Sequence, residues 1–196
     1  LFKQKYVWLF FLVLFCYVST EQGTSIFMST FLEQYHGVNP QTDGAQAVSY
    51  FWGLMTAGCL VGMLLLKLID SKRLLQISGV LTIVLLLSAL LGSKGIALIA
   101  FPAVGFSISM MYSIVFSLAL NSASQHHGSF AGILCSAIVG GAGGPMIVST
   151  IADATSLRTG MLFILVFVGY ITFIGFWARP LINNKTVKLK KLLKKA

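Results

Sequence analysis

The residues with chemistry to offer lie in two rows inside apolar sequence. Tyr17, Glu21, Ser25 and Ser29 recur at every fourth position, with Gln22 beside them. Ser109, Ser113, Ser117 and Asn121 repeat that spacing, with Tyr112 alongside. A four-residue period draws a slanted stripe along one face of a helix. Hydroxyls, amides, a carboxylate and aromatic faces together suit a polyhydroxylated ligand. Glu21, Gln22, Ser25, Tyr112, Ser113, Ser117 and Asn121 are therefore the candidate binding residues. Tyr17, Tyr50 and Trp52 are further aromatic candidates, although each alone reads first as a packing or interface-belt residue. Glu21 has three readings: a proton carrier, because an apolar surround favours a neutral carboxyl; a ligand acceptor; or a structural acid satisfied by neighbouring donors. The serines have a plain alternative, returning hydrogen bonds to carbonyls one turn back.

The elements that position these rows must cross a membrane. The chain is 57% hydrophobic and 10% charged over 196 residues, where a soluble domain carries about a quarter charged residues. Several apolar runs exceed the ~18 residues that a spanning helix needs. Six spans are expected, at 6–31, 45–69, 74–91, 95–120, 128–151 and 160–177. At ~1.5 Å per residue Glu21 falls near mid-depth of the first, where an acid facing lipid costs a few kcal/mol. The row must face protein or water.

Basic residues set the orientation. Six spans put both termini on one side, which collects Lys3, Lys5, Lys67, Lys72, Arg73, Arg179 and six tail lysines; the other side has only Lys94 and Arg158. This places both termini in the cytoplasm. The net charge of +9 is a topology signal and not a nucleic-acid footprint. Residues 1–178 form the bundle and 179–196 a basic cytoplasmic tail. That tail reads either as a short amphipathic helix on the inner leaflet, with Leu189, Leu192 and Leu193 on one face, or as a solvated segment. The sequon at Asn184 is discounted on this topology.

The spans run long, long, short, twice over. Three spans per set give the sets opposite orientations, the arrangement of a 3+3 inverted repeat in an all-α membrane protein. The first and fourth spans carry the polar rows; the third and sixth are nearly all apolar and look lipid-facing. Small residues mark the second and fifth: Gly58 and Gly62, and the row Gly128, Gly132, Ser136, Gly140, Gly144. Such rows permit close helix approach, for static packing or for gating. The cluster from Gly140 and Gly141 through Gly144 to Pro145 predicts a kink or unwound turn.

Enzyme chemistry finds no footing. His36, His126 and His127 all sit at loop positions, so no serine has a buried base. Neither a phosphate-binding GxxxxGK[ST] loop nor an acidic metal cluster is present. Cys16, Cys59 and Cys135 are scattered in apolar runs, without zinc-type or disulfide-type spacing. No cofactor is expected. The chain opens on Leu1 and reads as a piece of something longer.

Four segments carry a resemblance: FCYVSTEQ at 15–22, FWGLMTAGCLVG at 51–62, MYSIVFSLALNSASQ at 111–125 and GSFAGILCSAIVGGAGGPMIVSTIADA at 128–154. In them the chain resembles the fucose–proton and glucose/galactose symporter family of the major facilitator superfamily. The resemblance implies the C-terminal half of a twelve-span sugar transporter in a bacterial inner membrane, working by alternating access. Its partners would be a monosaccharide, the lipid bilayer and an N-terminal six-helix half, with a proton gradient as driving force and sodium as the other option. Glu21 matches the acid of the family's YVGxE segment and Asn121 ends its FSLxxN-like segment, while the principal coupling acids are expected in the other half. Two departures stand out. Gly58-Cys59 replaces the family's usual GR, removing a cation. Tyr112-Ser113 replaces Tyr-Pro, which implies a straighter fourth helix. Another solute, or a non-transporting six-helix binding or structural protein, are the alternatives.

Overall fold

Six apolar runs fold as six helical spans in the computed structural model, which describes residues 4–123 and 125–178. Among the described residues there is no strand. The spans are Lys5–His36, Pro40–Leu68, Ser71–Leu91, Lys94–Leu120, His127–Ala154 and Leu157–Trp177, with lengths of 32, 29, 21, 27, 28 and 21 residues. The long, long, short pattern is borne out. The tail at 179–196, with the amphipathic reading placed on it, lies outside the described residues.

Local signals account for the ends. Helix α1 (Lys5–His36) stops at Gly37, whose φ of 59° is left-handed, a conformation glycine adopts at least cost. The Gly37 N–H then donates to the Glu33 carbonyl at 3.0 Å and the Val38 N–H to Leu32 at 3.2 Å. A π-helical turn, Pro40–Gly44, opens the second span, where the Asn39 side chain accepts from the Gln41 N–H at 2.9 Å. It leads into α2 (Ala45–Leu68). Asp70 accepts from the Lys72 N–H at 3.1 Å and so caps α3 (Ser71–Leu91).

The later spans are segmented. The fourth consists of α4 (Lys94–Ile108) and α5 (Met111–Leu120), broken at Ser109 and Met110. The straighter helix implied by Tyr112-Ser113 is not found. Pro102 lacks a donor about two turns earlier, and Ser107 and Ser109 turn their hydroxyls onto the Val104 and Phe106 carbonyls at 2.9 and 2.8 Å. Both effects loosen a helical ladder. The fifth span is α6 (His127–Ser136), a 3-10 turn at Ala137–Val139, and α7 (Gly140–Ala154). The distortion expected at Gly140 to Pro145 thus lies one turn upstream. Gly140 and Gly144 are held against the first span, which keeps α7 regular through Pro145. The sixth span is α8 (Leu157–Leu162) followed by α9 (Ile164–Trp177).

Packing reveals the repeat. The first span packs on the fifth, and the fourth on the second. These two contacts exchange under the operation that relates spans one to three with four to six. The joints are alike. A Cβ on Gly144 would strike Ser19, and one on Gly58 would strike Ser109. Backbones touch next to both: Gly140 lies on the Phe15 carbonyl and Gly105 on the Phe51 carbonyl. Ser19 Oγ donates to the Gly140 carbonyl at 3.0 Å, and Cys59 Sγ to the Ser109 carbonyl at 3.3 Å. Gly62 meets Met110. The small row of the fifth span is shorter than expected, because Gly128 and Gly132 face open space.

The third and sixth spans expose apolar residues such as Ile77, Val80, Phe173 and Phe176, but they are not apolar throughout. A polar seam joins them: Gly79 abuts Thr172, and Gln76 Nε2 donates to the Gly175 carbonyl at 3.0 Å. Spans one and four form the centre, 61% buried over their most apolar windows, against 17% for span two and 28% for span five. Below, the end of the bundle bearing Lys5, Leu68 and Trp177 is the terminal end; the other, bearing His36 and Leu157, is the far end.

Candidate binding site

Helix α1 brings Tyr17, Glu21 and Gln22 to the middle of the bundle. Tyr17 is 3% exposed, and its ring lies 5.6 Å from that of Tyr112 across the first and fourth spans. Its side chain also neighbours Glu21 and Cys59, so three spans meet at this point. Glu21 is half-buried and its Oε1 accepts from Gln22 Nε2 at 3.2 Å. The Gln22 stem passes over Gly141 of the fifth span. Ser25 is buried, its Oγ donating to the Gln22 carbonyl at 3.3 Å. Ser29 donates to the Pro40 carbonyl at 3.4 Å.

Helix α5 forms a groove of about 390 Å³ lined by Tyr112, Ser113, Phe116, Ser117, Leu120 and Asn121. The volume falls in the ~300–1,000 Å³ range of small-molecule sites. Tyr112 and Phe116 stack with centroids 5.9 Å apart and planes 20° from parallel, giving an aromatic wall. Ser113 and Ser117 are exposed, and their hydroxyls have no partner among the described residues. The backbone of Asn121 closes the helix, its N–H donating to the Ser117 carbonyl at 2.9 Å, while its side chain reaches the groove.

Four of the seven candidate residues line this groove: Tyr112, Ser113, Ser117 and Asn121. Glu21, Gln22 and Ser25 stand on α1, linked to it through the Tyr17–Tyr112 contact. Ser109, expected in the same row, is turned away into the joint with Gly58, because the break at Met110 changes the helical phase. Tyr50 and Trp52 sit exposed on α2; Tyr50 accepts from Gln46 Nε2 at 2.8 Å. Phe116 was missed, although its four-residue distance from Tyr112 marks it as that ring's neighbour. Ser19 was missed too, since its role depends on Gly140, 121 residues away. The assembly offers hydroxyls, an amide, a carboxylate and stacked rings. It is equipped to hold a neutral polar molecule by hydrogen bonds and ring contact.

No protein-family model matches the chain. Over 164 residues it is 34% identical to a glucose/galactose transporter of Brucella abortus, and 30% identical to a putative glucose/galactose transporter of Helicobacter pylori. Each match covers 83% of this chain and 40% of the relative. The chain therefore spans about two fifths of the length of these curated relatives. Its fold is similar to that of the E. coli fucose:proton symporter, FucP, with a TM-score of 0.83 at 18% identity, over 90% of this chain and 43% of that one. A crystal structure of FucP in the outward conformation, described as a major facilitator superfamily transporter, matches with a TM-score of 0.81. The resemblance carried by the motifs is borne out, as is the all-helical, six-span fold. The chain is a multi-pass membrane protein.

Proposed function

We propose that the chain is the C-terminal six-span half of a proton-coupled monosaccharide importer of a bacterial inner membrane, with both its ends in the cytoplasm. One observation carries the reading: an unpartnered hydroxyl row beside an aromatic wall, in a chain similar to glucose/galactose transporters. Tyr112, Ser113, Ser117 and Asn121 hold the sugar from one side. Glu21 and Gln22 offer an acceptor and a donor from α1, with Ser25 behind them. Spans two and five, the least buried, expose Leu60, Met63, Leu64, Ile138 and Met146. These faces suit a second six-helix bundle that closes the cavity from the other side. Gly58, Gly62, Gly140, Gly141 and Gly144 give the close contacts on which rocking would turn, with Pro145 following them. Glu21 serves sugar binding first and proton transfer second. The driving force is a proton gradient, and no cofactor takes part.

The test is uptake of a glucose, galactose and fucose panel by the complete gene product in proteoliposomes. Uptake that requires an inward proton gradient is expected. Uptake driven by sodium alone would reassign the coupling ion, and a protein that moves none of these sugars would overturn the proposal.

A further inference from the structure

A second cavity, of about 470 Å³, opens at the far end between the first, fifth and sixth spans. Its polar lining includes Thr30, Gln34 and Tyr35 from α1 and Ser149 and Asp153 from α7, and Phe27 gives it an apolar face. Glu21 and Gln34 are thirteen residues apart on one continuous helix, about 20 Å at 1.5 Å per residue. This cavity is therefore distinct from the α5 groove.

Its wall is fixed by packing. Tyr35 stacks on Phe31 with centroids 4.6 Å apart. The Arg158 guanidinium lies 4.4 Å from the centre of the Tyr35 ring and 5.8 Å from that of Phe31, and the Arg158 backbone N–H donates to the Tyr35 hydroxyl at 3.2 Å. The buried Arg158 Nε has no hydrogen-bond partner. The cation is thus directed at the aromatic face rather than into the cavity. Thr30, Gln34 and Asp153 remain exposed.

This lining selects by chemistry. An anion needs a cation aimed at it, and the one nearby is held over the rings. A hard metal ion needs six or more oxygen ligands, usually including several carboxylates, and Asp153 is the single carboxylate lining this cavity. A neutral polyhydroxylated molecule fits: a carboxylate and an amide for its hydroxyls, a threonine and a serine beside them, and a phenyl face for its C–H surface. We infer that this far-end cavity is a second carbohydrate site, where a monosaccharide makes its first contact before reaching the α5 groove. The inference rests on the proposed function for its role in transport, and on the cavity alone for binding.

The experiment uses the complete gene product with Cys59 and Cys135 replaced by alanine. A Thr30→Cys variant reacts with a membrane-impermeant thiol reagent from the outside, and glucose, galactose or fucose slows that reaction while an amino acid of similar size does not. Separately, Asp153→Asn and Gln34→Ala each raise the KM of inward uptake about fivefold and leave the maximal rate and the amount of protein in the membrane in place. A merely structural role would lower the maximal rate or the yield instead. Sugar protection in a protein that moves no sugar would keep the site and remove the transport reading. Absence of protection by all three sugars, protection by the amino acid, or an unchanged KM in both variants overturns the inference.

Discussion

The two polar rows share a four-residue spacing and have opposite fates. On α1 the row's hydroxyls are taken up within the fold, Ser25 donating to the Gln22 carbonyl and Ser29 to the Pro40 carbonyl; beside the row, Thr20 Oγ1 donates to the Cys16 carbonyl at 2.8 Å and Ser19 across to Gly140. In the second row Ser109 is likewise enclosed and donates to the Phe106 carbonyl, but on α5 Ser113 and Ser117 are exposed and unpartnered. Burial without a partner costs a hydroxyl about 1–3 kcal/mol, so enclosed hydroxyls are largely satisfied within the fold; Thr24 Oγ1, buried on α1 without a partner, is the exception. A row left open has no such demand and keeps its hydrogen bonds for a visitor. Spacing defines a face; what packs on that face decides whether it is structure or site.

The sharpest way to test this contrast is to attack the enclosed side. Gly140→Val drives a side chain into the Phe15 carbonyl, so backbone must move. Loss of about 1–3 kcal/mol or more is expected, read as a lower melting temperature in detergent and reduced yield; an unaltered melting curve would mean the joint between spans one and five is looser than described. Next in size is Glu21→Gln, expected to cut sugar uptake about tenfold, the equivalent of one charge-assisted hydrogen bond, at wild-type expression. Full uptake would remove Glu21 from the site. The smallest and most discriminating change compares Ser117→Cys with Thr20→Cys. The first should react with a water-soluble thiol reagent and be protected by sugar, the second should do neither, and equal labelling would erase the distinction between enclosed and open hydroxyls.

Much of the architecture was legible in the chain itself. Apolar run lengths and the positions of lysine and arginine suffice for six spans, because a bilayer imposes one length and one satisfied backbone. The pairing of spans was not legible. Gly58 and Gly144 announce close contact without naming a partner, and Ser109 and Ser19 become their partners only once the bundle closes. The break at Ser109 and Met110 was not legible either, since no proline stands at position 113 and Pro102 lies about two turns upstream of the break. Of the groove, Tyr112, Ser113, Ser117 and Asn121 follow from periodicity. The far-end cavity draws on residues 27–35 and 149–158, and no local pattern connects stretches so far apart.

The first span pairs an enclosure equalled by the fourth with the least apolar sequence. Its best window has a mean hydropathy of 1.3, against 2.4 for the third span, yet 61% of that window is buried in the bundle. During biosynthesis the third span can partition into lipid on its own merits, whereas the first carries Glu21 and a line of hydroxyls into the membrane before spans two to six have been made. The helix that equips the bundle for a polar cargo is thus the one whose insertion leans on later-made partners. Spans four and five, arriving afterwards, complete its lodging.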